Sequence, residues 1–315
     1  MPATWNDLTD DERCEVRELH ARLLQPEFQR TIGLAMSSVE PRTRELAAEF
    51  ERWTEPEAMI DSALLPRAFT LTVAESPFVP DEIGKTALVL VAPEFRSNAT
   101  ADKLRSGRPL IILSFGMCMS GYFGPTTFFE YIHNELTEAR GRALAAIVAT
   151  ARAVQQNDVF FLDAVWQLIP KPTRERDAIA RLSVATTGFI LAHEFGHHAL
   201  RHAPTQDNAK SQQQEYEADQ FAFKLCSFLA PTAELLHAIG IHFQLMHICE
   251  ALDDTKAGTT HPLWIDRWKA LSTTSEPAAA FIVSLVNDVM GDAIAACKGI
   301  EPEVNQLRGL FPFRD

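Results

Sequence analysis

The segment Leu191-Ala192-His193-Glu194-Phe195-Gly196-His197-His198-Ala199-Leu200 constrains this chain more than any other, because it sets two histidines four residues apart inside a helical pattern. On a helix, side chains at i and i+4 lie one turn apart on one face, so the imidazoles of His193 and His197 can reach the same zinc ion. Glu194 projects beside them. That offset puts a carboxylate next to the metal's open position without making it a ligand, which suits a general base for a zinc-activated water. The bland alternative is a histidine-rich solvated helix.

A catalytic zinc site normally takes three protein ligands, so a third residue is required downstream. In the extended pattern HExxHxxGxxH the glycine and last histidine would fall at Leu200 and Ala203, which cannot serve, and His202 is one residue out of register. Gln212 to Leu229 reads as a second helix that contains Glu215-Tyr216-Glu217-Ala218-Asp219. Glu215 and Asp219 share a face, so one can bind the metal while the other orients a histidine ligand from behind. Ala218 and Ala222 permit this helix to approach the first closely. Glu217 is the rival ligand, but it points to another side and is expected on an exposed charged face. His198 and His202, four apart on a different face, are expected to be surface histidines.

Around these segments the chain reads as one compact α+β domain over residues 1–315, mainly helical with a small sheet. A helical region is expected over 1–85, a small-sheet region over 86–125, the motif-bearing helices over 126–271 and a C-terminal helical region over 272–315. Thr9 and Glu12 give a capping box at the head of the first helix. Three strands are expected: one at Phe69, Leu71 and Val73, which alternate with smaller or polar residues, one over Ala87 to Val91 and one over Leu110 to Phe115. The longest uncharged stretch, Pro109 to Phe129, is interrupted by Gly116, Gly121, Gly124 and Pro125. It reads as a buried strand followed by a glycine-rich loop, and no integral membrane segment is expected.

HEFGH at 193–197, EYEAD at 215–219 and Thr260-His261-Pro262-Leu263-Trp264-Ile265-Asp266-Arg267 together resemble, in order, the HExxH, ExxAD and HPxxxxR motifs of the CAAX prenyl protease and HtpX-type zinc metallopeptidases of the gluzincin group. The resemblance covers roughly residues 180–271. It implies a zincin-like core with Zn2+ bound by His193, His197 and Glu215, Glu194 as catalytic base and Asp219 as support behind the ligands. It also implies that His261 and Arg267 steady the oxyanion or the substrate carbonyl, in a zinc-dependent endopeptidase acting on a protein or peptide. Seventeen residues separate His197 from Glu215, a spacing closer to soluble thermolysin-like gluzincins. Read on its own chemistry, Arg267 is a structural arginine paired with an acid, and His261 a histidine near the cap of a helix that Pro262 opens. Trp264 and Trp268, one turn apart, are expected to pack that helix.

Charge and cysteine content narrow the function classes further. A net charge of −13 repels a phosphate backbone, so a nucleic-acid partner is not expected. The five cysteines are scattered without CxxC spacing, and the acidic N-terminus lacks an apolar run, which together point to a reduced, cytoplasmic protein. A zinc-stabilised regulatory or interaction protein without peptidase activity is the second reading. It is weakened by the absence of cysteine near either motif, since closed structural zinc sites favour cysteine-rich sets. A latent stress or phage-defence protease with one host target is a third, in which His261, following Gly258-Thr259-Thr260, would occupy the fourth zinc position. Substrate is expected to pair with an edge strand, at Ala87 to Val91 or Leu110 to Phe115.

Overall fold

The computed structural model describes residues 2–24, 55–60, 67–94, 98–133, 137–156, 176–253, 261–273 and 280–309, with isolated positions within 33–48 and 165–168. Helix α1 (Asp10–Leu23) starts at Thr9, whose hydroxyl accepts from the Glu12 amide at 3.2 Å while the Glu12 carboxylate accepts from the Thr9 amide at 2.9 Å. This is the reciprocal cap read from the sequence. Short helices α2 (Pro56–Ile60), α3 (Arg67–Ala74) and α4 (Asp81–Gly84) precede the sheet.

The sheet contains β1 (Leu88–Ala92), β2 (Ala99–Lys103) and β3 (Pro109–Ser114) in the order β1-β3-β2, with β1 parallel and β2 antiparallel to β3. The β2–β3 turn closes with Gly107 at φ 87, a left-handed conformation that glycine adopts without a Cβ clash. Successive side chains of a strand point to opposite faces, and here both faces are covered. Leu88, Leu90 and Leu110 face a small cluster with Leu8, Val16 and Met59, while Val89, Val91, Ile111 and Leu113 join the main core.

Among the described residues the elements that follow are helices: α5 (Phe115–His133), α6 (Thr137–Gln156), α7 (Arg176–Ala199), α8 (Asn208–Leu229), α9 (Thr232–Asp253), α10 (Trp264–Thr273) and α11 (Ala280–Gly309). The HExxH segment lies on α7, which packs against α8, α5, α9, α3 and the edge strand β2. The chain is thus α+β and mainly helical, as expected. By length and composition, Thr232–Leu252 and Ala280–Ile300 could each cross a membrane, and 72% of the first one's apolar window is buried inside the fold.

Two local expectations are corrected. The strand at Phe69, Leu71 and Val73 is instead helix α3, where Thr70, Val73 and Ala74 are buried at helical rather than alternating spacing. The glycine-rich loop after Phe115 is instead α5, and Gly121 and Gly124 serve packing rather than turning. A Cβ on Gly121 would meet Thr187 Oγ1 at 3.2 Å on α7, and one on Gly124 would meet Ile241 Cγ2 at 3.1 Å on α9. Pro125 removes a backbone donor inside α5, and the turn is steadied by Thr126 and Thr127, whose hydroxyls donate to Tyr122 O at 2.8 Å and Phe123 O at 2.9 Å. The third strand is β2, whose sequence Ala99-Thr100-Ala101-Asp102-Lys103 lacks an apolar run.

Candidate metal centre

Helices α7 and α8 can touch because small residues face each other at their crossing. Ala218 and Ala222 are fully buried, and a Cβ on Gly196 would lie 3.0 Å from the Phe221 ring and 3.4 Å from Ala218 Cα. This close approach brings the carboxylate of Glu215 to the two histidines. His193 Nε2 and His197 Nε2 are 3.1 Å apart, and the Glu215 oxygens lie 3.4 Å from His193 Nε2 and 3.7 Å from His197 Nε2.

These spacings suit a metal. Donors bound tetrahedrally to zinc at bond lengths of about 2.0–2.1 Å lie about 3.3 Å from one another. His193, His197 and Glu215 form the group among the described residues that could hold a metal ion. Glu217, two residues on, does not join it: its side chain is about half exposed and accepts from Gln213 Nε2 at 3.0 Å.

Charge argues in the same direction. Glu194, Glu215 and Asp219 are three buried carboxylates, and Arg267 is the buried guanidinium among them. Ionised together they leave two surplus negative charges in a poorly solvating interior, which a divalent cation would neutralise. Burial and the neighbouring charges set how these groups hold their protons. Burial lowers the His193 ring, yet bonds to Asp219 and Glu215 outweigh it and raise it to about 9. Burial, reinforced by the nearby Glu215 charge, pushes Glu194 up to about 7. Burial and the neighbouring His193 drive His197 down to about 3, so its ring is neutral at ordinary pH. Glu215 stays ionised, well below the usual carboxylate range: burial raises it, but the His193 and His261 bonds prevail.

Behind the donors sits a second layer. Asp219 Oδ1 lies 2.9 Å from His193 Nδ1, which fixes the ring with Nε2 turned towards Glu215 and His197. Arg267 grips the same carboxylate through Nε at 2.8 Å and Nη2 at 2.6 Å, and its Nη1 lies 3.4 Å from Glu215 Oε2. The guanidinium lies over two adjacent aromatic rings, 4.4 Å from the Trp264 ring centroid and 5.1 Å from that of Phe243. His261 approaches from the open side, with Nδ1 3.2 Å from Glu215 Oε1 and a side chain that is 65% exposed. The residues before it, Gly258-Thr259-Thr260, lie outside the described residues. Every site residue expected from the sequence, His193, Glu194, His197, Glu215, Asp219, His261 and Arg267, therefore converges on one place.

That place opens into a cleft of about 660 Å³ whose walls include His193, Glu194, His261 and the edge strand residues Ala99 to Lys103. The strands expected to receive substrate are not suited to it. Leu110 to Phe115 supplies the central strand β3, paired on both sides, and the β1 edge does not line the cleft. Strand β2 is the edge on the cleft side.

Sequence reasoning also missed His202. Instead of a surface histidine, it has a side chain only 8% exposed, with Nδ1 2.9 Å from His197 Nδ1 and Nε2 3.1 Å from Glu217 Oε2. Helical spacing could not reveal this, because α7 ends at Ala199 and His202 returns on a turn. His198 likewise faces inward, its Nε2 3.2 Å from the carbonyl of Leu110, where it ties α7 to the sheet.

Residues 131–283 match the family Peptidase U49, a stretch that contains all three motif segments. The match indicates a peptidase family and supports a peptidase function, which implies a protein substrate. The matched family is Peptidase U49 and not the CAAX prenyl protease or HtpX-type family whose motifs the sequence resembles. Neither a curated protein nor a solved structure matches the chain.

Proposed function

We propose that the chain is a zinc-dependent endopeptidase of the gluzincin type, with His193, His197 and Glu215 as ligands and Glu194 as general base. The observation that carries this reading is the cluster of donors, with the two histidine Nε2 atoms 3.1 Å apart, Glu215 Oε2 3.4 Å from the first and Glu215 Oε1 3.7 Å from the second, and a buried carboxylate beside it in an open cleft. Bound there, zinc would supply a Lewis acid that lowers the pKa of water towards about 7 and polarises the scissile carbonyl. Glu194, buried beside these donors, would take a proton from that water and return it to the leaving amine.

Arg267 and His261 divide the remaining work. Three of the Arg267 nitrogens face Asp219 and Glu215, so we assign it to positioning the ligand carboxylate and, through Asp219, the first histidine. His261, exposed at the cleft, is the group available to stabilise charge on a substrate oxygen. An extended substrate is accommodated by pairing with β2, whose outer edge borders the cleft.

The test is Glu194→Gln, assayed for zinc content and for peptide cleavage against the wild type. Retained zinc with cleavage reduced by about a thousandfold or more is expected for loss of a general base in such a site. Normal cleavage by this variant would show the mechanism to be wrong. A search for new protein N-termini in cells, controlled with the same variant, would then separate a narrow protease with one target from a general one.

A further inference from the structure

The turn after α7 carries a second device directed at the metal site. His197 is expected to bind through Nε2, the nitrogen that faces His193 and Glu215. In a neutral imidazole bound in this way the proton sits on Nδ1, which must donate. The acceptor it meets is His202 Nδ1, at 2.9 Å, and the two rings cross at 72° with centroids 5.0 Å apart. With that nitrogen accepting, the His202 proton lies on Nε2, which faces Glu217 Oε2 at 3.1 Å. All donors in this chain point one way, from His197 through His202 to a carboxylate.

The backbone holds His202 in place. Helix α7 closes with the His202 amide donating to His197 O at 2.9 Å and the Arg201 amide donating to His198 O at 3.1 Å. This is the double bond pattern of a Schellman ending, in which the penultimate residue of the turn is left-handed and usually glycine. Here that residue is Arg201, at φ 57, the non-glycine residue with positive φ among the described residues. The chain thus accepts a cost of roughly 1 kcal/mol or more at this point. Beyond the turn, Gln214 Nε2 on α8 donates to Ala203 O at 3.2 Å, and Gln213 Nε2 holds the other Glu217 oxygen at 3.0 Å.

The geometry points to His202 and Glu217 as a positioning pair for the second zinc ligand, orienting His197 through an imidazole as Asp219 orients His193 directly. Each histidine of HExxH is then backed by a carboxylate of the same helix, Asp219 for one and Glu217 for the other. Glu217, the unsuccessful candidate for the ligand, acts one residue further out. This inference rests on the zinc site proposed above.

The test measures zinc affinity by chelator competition in the full chain, together with the thermal midpoint of the zinc-free protein. His202→Ala should weaken zinc binding about tenfold or more, the usual scale for losing a group that orients a metal ligand, with the zinc-free midpoint little changed. His202→Asn should restore most of the affinity, because its amide oxygen can accept from His197 Nδ1. Glu217→Gln, on the surface, should weaken binding in the same direction and less. If wild type binds zinc and His202→Ala binds it equally tightly, or if His202→Asn is as weak as His202→Ala, the positioning role is overturned while the zinc site stands. Failure of the wild type to bind zinc overturns both.

Discussion

Arg267 meets the carboxylate of Asp219 with two hydrogen bonds, Nη2 to Oδ1 at 2.6 Å and Nε to Oδ2 at 2.8 Å, in a contact buried on both sides. It lifts the guanidinium further above its ordinary range despite the opposing effect of burial, and holds Asp219 below the usual carboxylate range against the same effect. The pair links α8 to α10 at the back of the site, so the third motif is bound to the second through charge.

Removing one partner of a buried ion pair leaves the other uncompensated. Arg267→Ala is therefore expected to cost about 3–5 kcal/mol of stability. Arg267→Lys should fall between, because an ammonium cannot reproduce the two-pronged contact or the stacking on Trp264. Urea midpoints of the zinc-free proteins measure both. A wild-type midpoint for Arg267→Ala would show that the pair does not hold α10 in place.

Zinc content distinguishes the two glutamates of the EYEAD segment. On the proposed ligand set, Glu215→Ala should lose the metal, and Glu217→Ala should still reach about one zinc per chain when the ion is in excess, because a catalytic zinc needs three protein donors and the proposal does not count Glu217 among them. Elemental analysis after dialysis against excess zinc provides the measurement. Loss of zinc in Glu217→Ala under saturating conditions, with retention in Glu215→Ala, would reverse the assignment.

A third prediction concerns acid stability away from the site. Glu12, buried on α1, accepts from Arg108 Nε at 2.8 Å and from Ser106 Oγ at 2.7 Å, which ties the first helix to the sheet. The Arg108 bond, with help from Thr9 and Ser106, overcomes burial and lowers the Glu12 carboxyl from 4.5 to about 2. A depressed carboxylate contributes stability that is fully present above its unfolded value and is lost as pH falls towards its folded one. The contribution, up to about 3 kcal/mol, should therefore vanish between roughly pH 5 and pH 2. Glu12→Gln should be less stable than wild type at pH 7, with the difference closing over that window in urea titrations. A difference that stays constant with pH would refute the assignment.

The His193, His197 and Glu215 group that could hold a metal was legible because its signals are local. An i, i+4 pair of histidines specifies one helix face, Glu215 and Asp219 specify another, and the buried alanines at 218 and 222 announce a close crossing. Apolar runs likewise marked β1 and β3, since a strand buried on both faces needs no alternation. Strand β2 gave no such signal, because an edge strand with polar residues is held mainly by backbone bonds to its neighbour. The glycines of α5 misled for a related reason: close helix approach and turn formation both call for glycine, and only the neighbours at 3.1 and 3.2 Å tell them apart.

By itself, then, the sequence determined a helical α+β chain with a histidine and glutamate site and the order of its three motifs, since each rests on the periodicity of one element. The tertiary structure alone decided what stands behind each donor. Arg267 turns to Asp219, and His202 reaches back over a left-handed residue to His197. Such contacts depend on where a turn ends and how two helices cross, and a spacing pattern within one segment carries neither.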